Sequence, residues 1–247
     1  MMLTGKLATR SLRPTNEEPG VLTLGRTRSV AENFKALVAR HVHSDIALDA
    51  SSYTNSYKKS ERTDAYRAIF IIIDGPQALD ESLALVENLR SIHLNPIICA
   101  VIAGRGAYNK MKYYLAGADC CIKLNTLTDE SSELLSEFFT SEEWQREVNL
   151  VLDPTRICLL GPRKKLDISF AEMKILEALA QTSNHILSHD EIARIMGLNA
   201  NFYDPRALEK SISRLRGKIK DMYGTHNAIQ SIRGHGYRLM RGLISTA

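Results

Sequence analysis

Long hydrophobic runs are missing from this chain. No stretch approaches the roughly 18 apolar residues that a membrane span requires, and Met1 to Gly20 mixes Ser, Thr, Arg and Pro without the apolar core of a secretory signal. A cytosolic protein with no membrane partner is the expectation. Cysteine is sparse as well: Cys99, Cys120, Cys121 and Cys158 form no CxxC or Cys/His pattern, which excludes a disulfide framework or a zinc module as the basis of the fold. The vicinal pair Cys120 and Cys121 reads as small buried side chains at a strand end rather than as a redox couple. His41 and His43 have no third ligand nearby and read as surface residues. Gly-rich phosphate loops, HExxH pairs and nucleophile elbows are absent too. Nothing here asks for a catalytic residue, a metal or a cofactor.

What is present is charge, unevenly placed. The net charge is +4 over 247 residues, a length that favours two domains. From Leu150 onward 15 Lys and Arg stand against 9 Asp and Glu, leaving 17 against 19 for the front of the chain. An acidic or neutral sensing half joined to a polyanion-binding half fits that division.

The first 19 residues are polar, proline-interrupted and aperiodic, so a disordered tail is expected. From Gly20 onward apolar runs alternate with helical stretches. Strands are predicted at Val21 to Leu24, Asp45 to Ala50, Ala68 to Ile73, Pro96 to Val101 and Cys120 to Leu124. Ala68 to Ile73 (AIFIII) is the strongest, a β-branched and aromatic run of the kind buried on both faces of a parallel sheet. Helices are predicted at Val30 to Arg40, around Leu83 to Leu89, at Tyr108 to Leu115 and from Glu130 to Trp144, the last with Leu134, Leu135, Phe138 and Phe139 as its apolar face. Five strands with helical connections make a doubly wound parallel sheet.

After Gln145 the pattern changes. Leu150 to Leu160 reads as short strands around the turn Asp153-Pro154. Ser169 with Glu172, and Ser188 with Glu191, spell two capping boxes. Asp204-Pro205 opens a third helix, whose stripe of Leu208, Ile212, Leu215, Ile219 and Met222 recurs at helical spacing and whose end lies near Gly224. Segments on either side of Gly234-His235-Gly236 read as a hairpin. With the stripe turned inward, Arg206, Lys210, Ser213, Arg214, Gly217 and Lys218 fall on or near the opposite side. Between Asn201 and Arg241 there are 9 Lys and Arg and 3 acids. A solvated helix face would account for charge alone; a slim cationic helix is also what phosphate binding and major-groove reading need.

The runs ISFAEMKILEALA, ILSHDEIARIMG, DPRALEKSISRLRGKIK and IQSIRGHGYRL follow one another between Leu152 and Leu239. In that order they resemble the winged helix-turn-helix effector domain of the OmpR/PhoB response regulators. The resemblance implies an α+β winged helix that binds promoter DNA. It implies further that Arg206, Ser211, Ser213, Arg214 and Arg216 reach bases or phosphates, and that Ser231, Arg233 and Tyr237 lie in the wing near the flanking minor groove and backbone. Lys210 and Lys218 extend the cationic face. Arg214 is the best candidate for base reading, because a guanidinium binds guanine bidentately. Where relatives often carry a larger polar or basic side chain this chain has Ser213, so fewer direct base contacts are expected. Arg233 has an alternative as a wing salt bridge, and Tyr237 as core packing with its hydroxyl exposed. Gly197 to Tyr203 aligns with the loop by which relatives meet RNA polymerase.

The front half resembles a receiver domain, with Asp74 at the phosphoacceptor position. Phosphoryl transfer there needs a divalent metal held by an acidic pair, and Gly25-Arg26 stands in its place. Val101-Ile102 replaces the hydroxyl at the fourth strand. Gly117 to Lys123 is one residue shorter than the receiver spacing, which turns Lys123 to the other face. Asp74 therefore reads as a relic or a helix cap, with Arg26 expected to pair with it. The expected architecture is an α/β receiver-like doubly wound five-stranded parallel sheet over residues 20–143, a linker over 144–149 with Trp144 as an interface anchor, and a winged-helix domain over 150–247. The expected partners are promoter DNA, a second copy bound through Tyr108 to Phe139 as in relatives, and RNA polymerase. Two alternatives stay open: a conventional regulator phosphorylated on Asp74 with metal ligands such as Glu32, and a ligand-sensing module that binds protein.

Overall fold

The computed structural model describes residues 20–53, 66–92, 95–104, 108–124, 127, 132–145, 149–199 and 202–246. The expected tail over residues 1–19 lies outside them.

The amino-terminal part runs β1 (Gly20–Gly25), α1 (Arg28–Val38), β2 (Leu48–Ser52), β3 (Tyr66–Ile73), α2 (Ala78–Ile92), β4 (Ile97–Ala103), α3 (Lys110–Ala116), β5 (Cys120–Leu124), α4 (Ser132–Thr140) and α5 (Glu142–Gln145). Its five strands are parallel, in the order β2-β1-β3-β4-β5. The AIFIII run is the sheet's spine, and alternation assigns its two faces. Ala68, Phe70 and Ile72 meet Phe34 of α1 and Phe138 and Phe139 of α4, while Ile69, Ile71 and Ile73 meet Leu85, Val86 and Leu89 of α2 and Tyr113 of α3.

Three expectations change. Strand β2 starts later than read, because Ile46 is buried in the turn before it and pairing with β1 begins at Leu48 opposite Val21. The last helix breaks at Ser141, whose hydroxyl and carbonyl accept from the Trp144 amide and start α5 afresh. Leu134 is consequently 45% exposed, and only Leu135, Phe138 and Phe139 face inward. Trp144 is neither linker nor interface anchor. Its ring packs edge-on against Phe139 at 4.7 Å, with the Arg67 guanidinium 4.5 Å above it, inside the amino-terminal core.

The carboxy-terminal part comprises β6 (Leu150–Asp153), β7 (Cys158–Leu160), β8 (Lys165–Asp167), α6 (Phe170–Gln181), β9 (Ile186–Ser188), α7 (His189–Ile195), α8 (Pro205–Tyr223), β10 (Ile229–Ile232), β11 (Gly236–Leu239) and β12 (Ile244–Thr246). A four-stranded sheet, β12-β6-β7-β8, closes one end and a three-stranded sheet, β10-β11-β9, forms the wing. Both capping boxes are formed: the Ser169 and Ser188 hydroxyls accept the amides of Glu172 and Glu191, whose carboxylates accept the serine amides at 2.7 Å each. The three helices pack over one core that includes Met173, Leu176, Ile192, Leu208, Ile212 and Leu215. The result is a winged helix-turn-helix behind a receiver-like sheet. Among the described residues no helix is long and apolar enough to cross a membrane.

Candidate nucleic-acid interface

Helix α8 owes its place to local chemistry. The Asp204 carboxylate accepts the Arg206 amide at 3.0 Å, Pro205 occupies the first turn where an amide would go unused, and Gly224 ends the helix at φ 76° with its amide on the Lys220 carbonyl. Leu208, Ile212, Leu215 and Ile219 are fully buried. Arg206, Lys210, Ser213 and Arg214 project from the exposed side, and none of these side chains has a partner among the described residues. The Ser211 hydroxyl bonds back to the Ala207 carbonyl at 3.0 Å.

Arg216, Lys218, Ser231 and Tyr237, also predicted from the sequence, are engaged within the fold. Arg216 turns toward the wing, where Nε donates to the Ile229 carbonyl at 2.6 Å and Nη2 to Ser231 Oγ at 2.9 Å. Its guanidinium also stands 5.4 Å from the centre of the Tyr237 ring. Tyr237 is buried, with His189 edge-on to it at 5.4 Å, so the core-packing alternative describes it. Lys218 is ion-paired: its ammonium lies 2.7 Å from Glu172 Oε2, the carboxylate of the first capping box. Burial alone would raise the Glu172 carboxyl, but Lys218 and Ser169 hold it below the ordinary range.

The wing is set by one tight approach. At Gly236 a side chain would meet the Leu187 carbonyl at 2.0 Å, so only glycine lets β11 lie against β9. Gly234 turns the hairpin at φ 74°, leaving Arg233 exposed at its tip with no side-chain partner among the described residues. Four of the nine basic residues between Asn201 and Arg241 are thus engaged internally: Arg216, Lys218, Arg238 and Arg241. Sequence reading counted all nine as one patch. Strand parity held a warning, since Arg238 alternates with the core residues Tyr237 and Leu239 and must face the other way.

The Asp74 position is built differently from what phosphoryl chemistry asks. Asp74 is exposed just beyond β3. Arg26 donates to Gln77 Oε1 at 2.8 Å, in place of the expected pairing with Asp74. Lys123 sits over the Tyr108 ring at 5.5 Å, Val101 and Ile102 are buried, and Glu32 is held on α1 by Lys35 and Arg28. Among the described residues no group of three His, Cys, Asp or Glu side chains could hold a metal ion, so the residues present do not fit the divalent cation of a receiver site. Burial pushes the thiols of Cys99 and Cys120 up and that of Cys121 to about 12, which disfavours their thiolate forms. His41, read as a surface residue, stacks on Phe139 at 5.8 Å.

Residues 163–239 match the family described as "Transcriptional regulatory protein, C terminal". The chain is 26% identical over 91 residues to the transcriptional regulatory protein AfsQ1 of Streptomyces coelicolor, covering 37% of this chain and 40% of that protein. It is 25% identical over 203 residues to the transcriptional regulatory protein CpxR of Escherichia coli, covering 70% of this chain and 87% of that one. The solved structure of DrrB, an OmpR/PhoB homologue from Thermotoga maritima, aligns with 90% of this chain and 98% of its own at 14% identity and a TM-score of 0.36. These curated relatives are named as transcriptional regulatory proteins. Residues 163–239 are thus similar to the carboxy-terminal domain of transcriptional regulatory proteins, and the longer matches are to proteins named as transcriptional regulators.

Proposed function

We propose that the protein controls transcription without a phosphorylation switch, placing α8 in the major groove of promoter DNA and the β10–β11 hairpin at the adjoining minor groove. One observation carries this: Arg206, Lys210 and Arg214 share the exposed side of a buried-backed helix while Arg216 and Lys218 are tied down. Arg214 reads a base, Arg206 and Lys210 hold phosphates, Ser211 and Ser213 add short polar contacts, and Arg233 enters from the wing tip. Arg216, Ser231 and Tyr237 act as the frame that spaces helix and hairpin. Lys218 serves the fold before it serves DNA.

Salt titration tests the reading. Each phosphate contact adds about −0.9 to the slope of log K against log salt, so three or four contacts give a steep dependence, whereas a protein-binding surface gives a shallow one. Phosphorylation-independence is supported by Arg26 bonding Gln77, by Lys123 lying over Tyr108 and by the buried apolar Val101-Ile102 pair. Acetyl phosphate with magnesium should leave DNA affinity unchanged; a large gain would restore Asp74 as an acceptor. A second copy, bound through the Tyr108 to Phe139 region, would set two α8 helices about 10 base pairs apart. RNA polymerase is the partner proposed for the loop before α8, where Phe202 is 87% exposed.

A further inference from the structure

A cavity of about 380 Å³ lies where α4 and α5 meet the carboxyl end of α8 and the turn between β11 and β12. It is more than twice the roughly 150 Å³ that takes up benzene in a protein interior. Thr140 and Gln145, both exposed, stand at its mouth, and Thr225, Met240 and Leu243, none more than 5% exposed, form its floor. The polar side chains around it have acceptor capacity to spare. The Thr140 hydroxyl donates to the carbonyls of Ser136 and Glu137 at 2.9 and 3.1 Å, and Gln145 Nε2 donates to the Phe139 carbonyl at 3.0 Å, so the oxygens of both side chains are left to accept. Glu142 takes the backbone amides of His226 and Asn227 at 2.9–3.1 Å. These donors are neutral, and its charge has no cationic partner among the described residues. Beside it the helix α8 closes with the Gly224 amide on the Lys220 carbonyl, and a helix end of this kind carries partial negative charge. Thr225 is 4% exposed, and its hydroxyl makes no hydrogen bond among the described residues. The side-chain atoms there that are sealed without a partner are His185 Nδ1 and Arg238 Nε, so the Thr225 hydroxyl keeps access to the cavity it lines. The arginine of the lining is turned elsewhere: Arg241 gives Nε to Asp119 and Nη2 to the Ser183 carbonyl, each at 2.8 Å.

We propose that this cavity binds a small organic ammonium ion with an apolar body, its charge held by Glu142 and its body laid on Met240 and Leu243. The sign of the charge follows from the lining. A carboxylate, a helix carboxyl end and three side-chain oxygens can all accept from an ammonium group, while the Arg241 charge is already met by Asp119. The apolar body follows from the floor: burying methylene groups against Met240 and Leu243 adds affinity that a bare ammonium ion would lack. Thr225 Oγ1 supplies the innermost polar contact, the one group here that can both donate and accept. The walls come from both halves of the chain, and one of them is the far end of the helix that carries Arg206, Lys210 and Arg214. Occupancy is therefore felt by α8, yet the assignment of the site does not depend on what α8 reads.

The test uses the full-length protein and three probes of one chain length that differ in charge: hexylammonium, 1-hexanol and hexanoate. Each is titrated near neutral pH into nitrogen-15-labelled protein, and the amide resonances of Gln145, Thr225 and Gly242 are followed. Hexylammonium should shift all three to saturation with a Kd on the order of a millimolar, as so small a ligand implies. It should bind about tenfold more tightly than either of the other two. Glu142→Gln keeps an oxygen for the two backbone amides and removes the charge, so it should cost hexylammonium about tenfold and leave hexanol unchanged. Thr225→Val has the same shape without the hydroxyl and should weaken hexylammonium as well; thermal melting shows that each variant is folded, and either one alone suffices. The site is overturned if hexylammonium moves none of these amides or shifts them without saturating. It is overturned equally if hexanol binds as tightly, which would make the cavity a plain apolar hole, or if hexanoate binds more tightly, which would give the site to Arg241. Wild-type affinity for hexylammonium in the folded variants would sink it too.

Discussion

Single side chains on α8 divide into those that face outward unpaired and those that are already spoken for. Replacing Arg214 by Ala should cost about 1 to 3 kcal/mol on the best operator and relax preference at one base pair, measured by competition across operator variants. Arg216→Ala should act through the fold: it removes two hydrogen bonds from a charged donor, so about 1.5 to 3 kcal/mol of stability is expected to go. Urea unfolding reads that loss directly. Lys218→Met should change stability by under about 1 kcal/mol and leave the salt slope of DNA binding as it was. That outcome would distinguish a structural lysine from the phosphate ligand its sequence position implied. The distinction was not legible in the sequence, because the partners of Arg216 and Lys218 lie 15 and 46 residues away. Charge and helical phase are local properties; pairing is not.

Elements with local start and stop signals were read nearly to the residue. Both capping boxes, the Asp204-Pro205 start and the Gly224 end follow from neighbours within a few positions, and β5 was placed at Cys120–Leu124. Strands β8, β9 and β12 were missed, since three residues carry too little periodicity to register and exist only through their sheet partners. The Ser141 break was missed for a related reason: Phe138, Phe139 and Trp144 all reach the core, and an unbroken helix was the simplest line through them. Ser188→Ala should cost about 1 kcal/mol through loss of the cap, read by thermal melting. Gly236→Ala should do far more harm, because the added carbon meets backbone at 2.0 Å and β11 must leave β9. Loss of the β9–β11 pairing would appear as rapid amide exchange at Leu187 and Tyr237 in a protein whose receiver-like sheet stays protected.

At the scale of the molecule, the fold class and the order of its parts were readable, whereas the contact between the parts was not. In sequence Arg241 counts as one more cation of a DNA patch, while its partner Asp119 lies 122 residues away. The interface makes stability depend on pH. Burial, followed by Arg241, lowers His185 from the ordinary 6.5 to about 4, with Asp119 opposing and Arg90 and Arg238 reinforcing. A group depressed in the folded state binds more protons when released, so stability is full above about pH 6.5 and falls as pH drops toward 4. Thermal melting between these limits should show a decline of order 2 to 3 kcal/mol, abolished in His185→Gln. Asp119, also held low on balance by the surrounding arginines, adds a further loss only below the ordinary aspartate range. Lastly, β12 lies parallel to β6, with Ile244, Ser245 and Thr246 beside Leu150, Val151 and Leu152. Tension drawn through the carboxy-terminal sheet from the start of β6 to the end of β12 loads those bonds together in shear instead of peeling them one by one. Under an optical trap, this sheet should be the last part of the effector domain to give way.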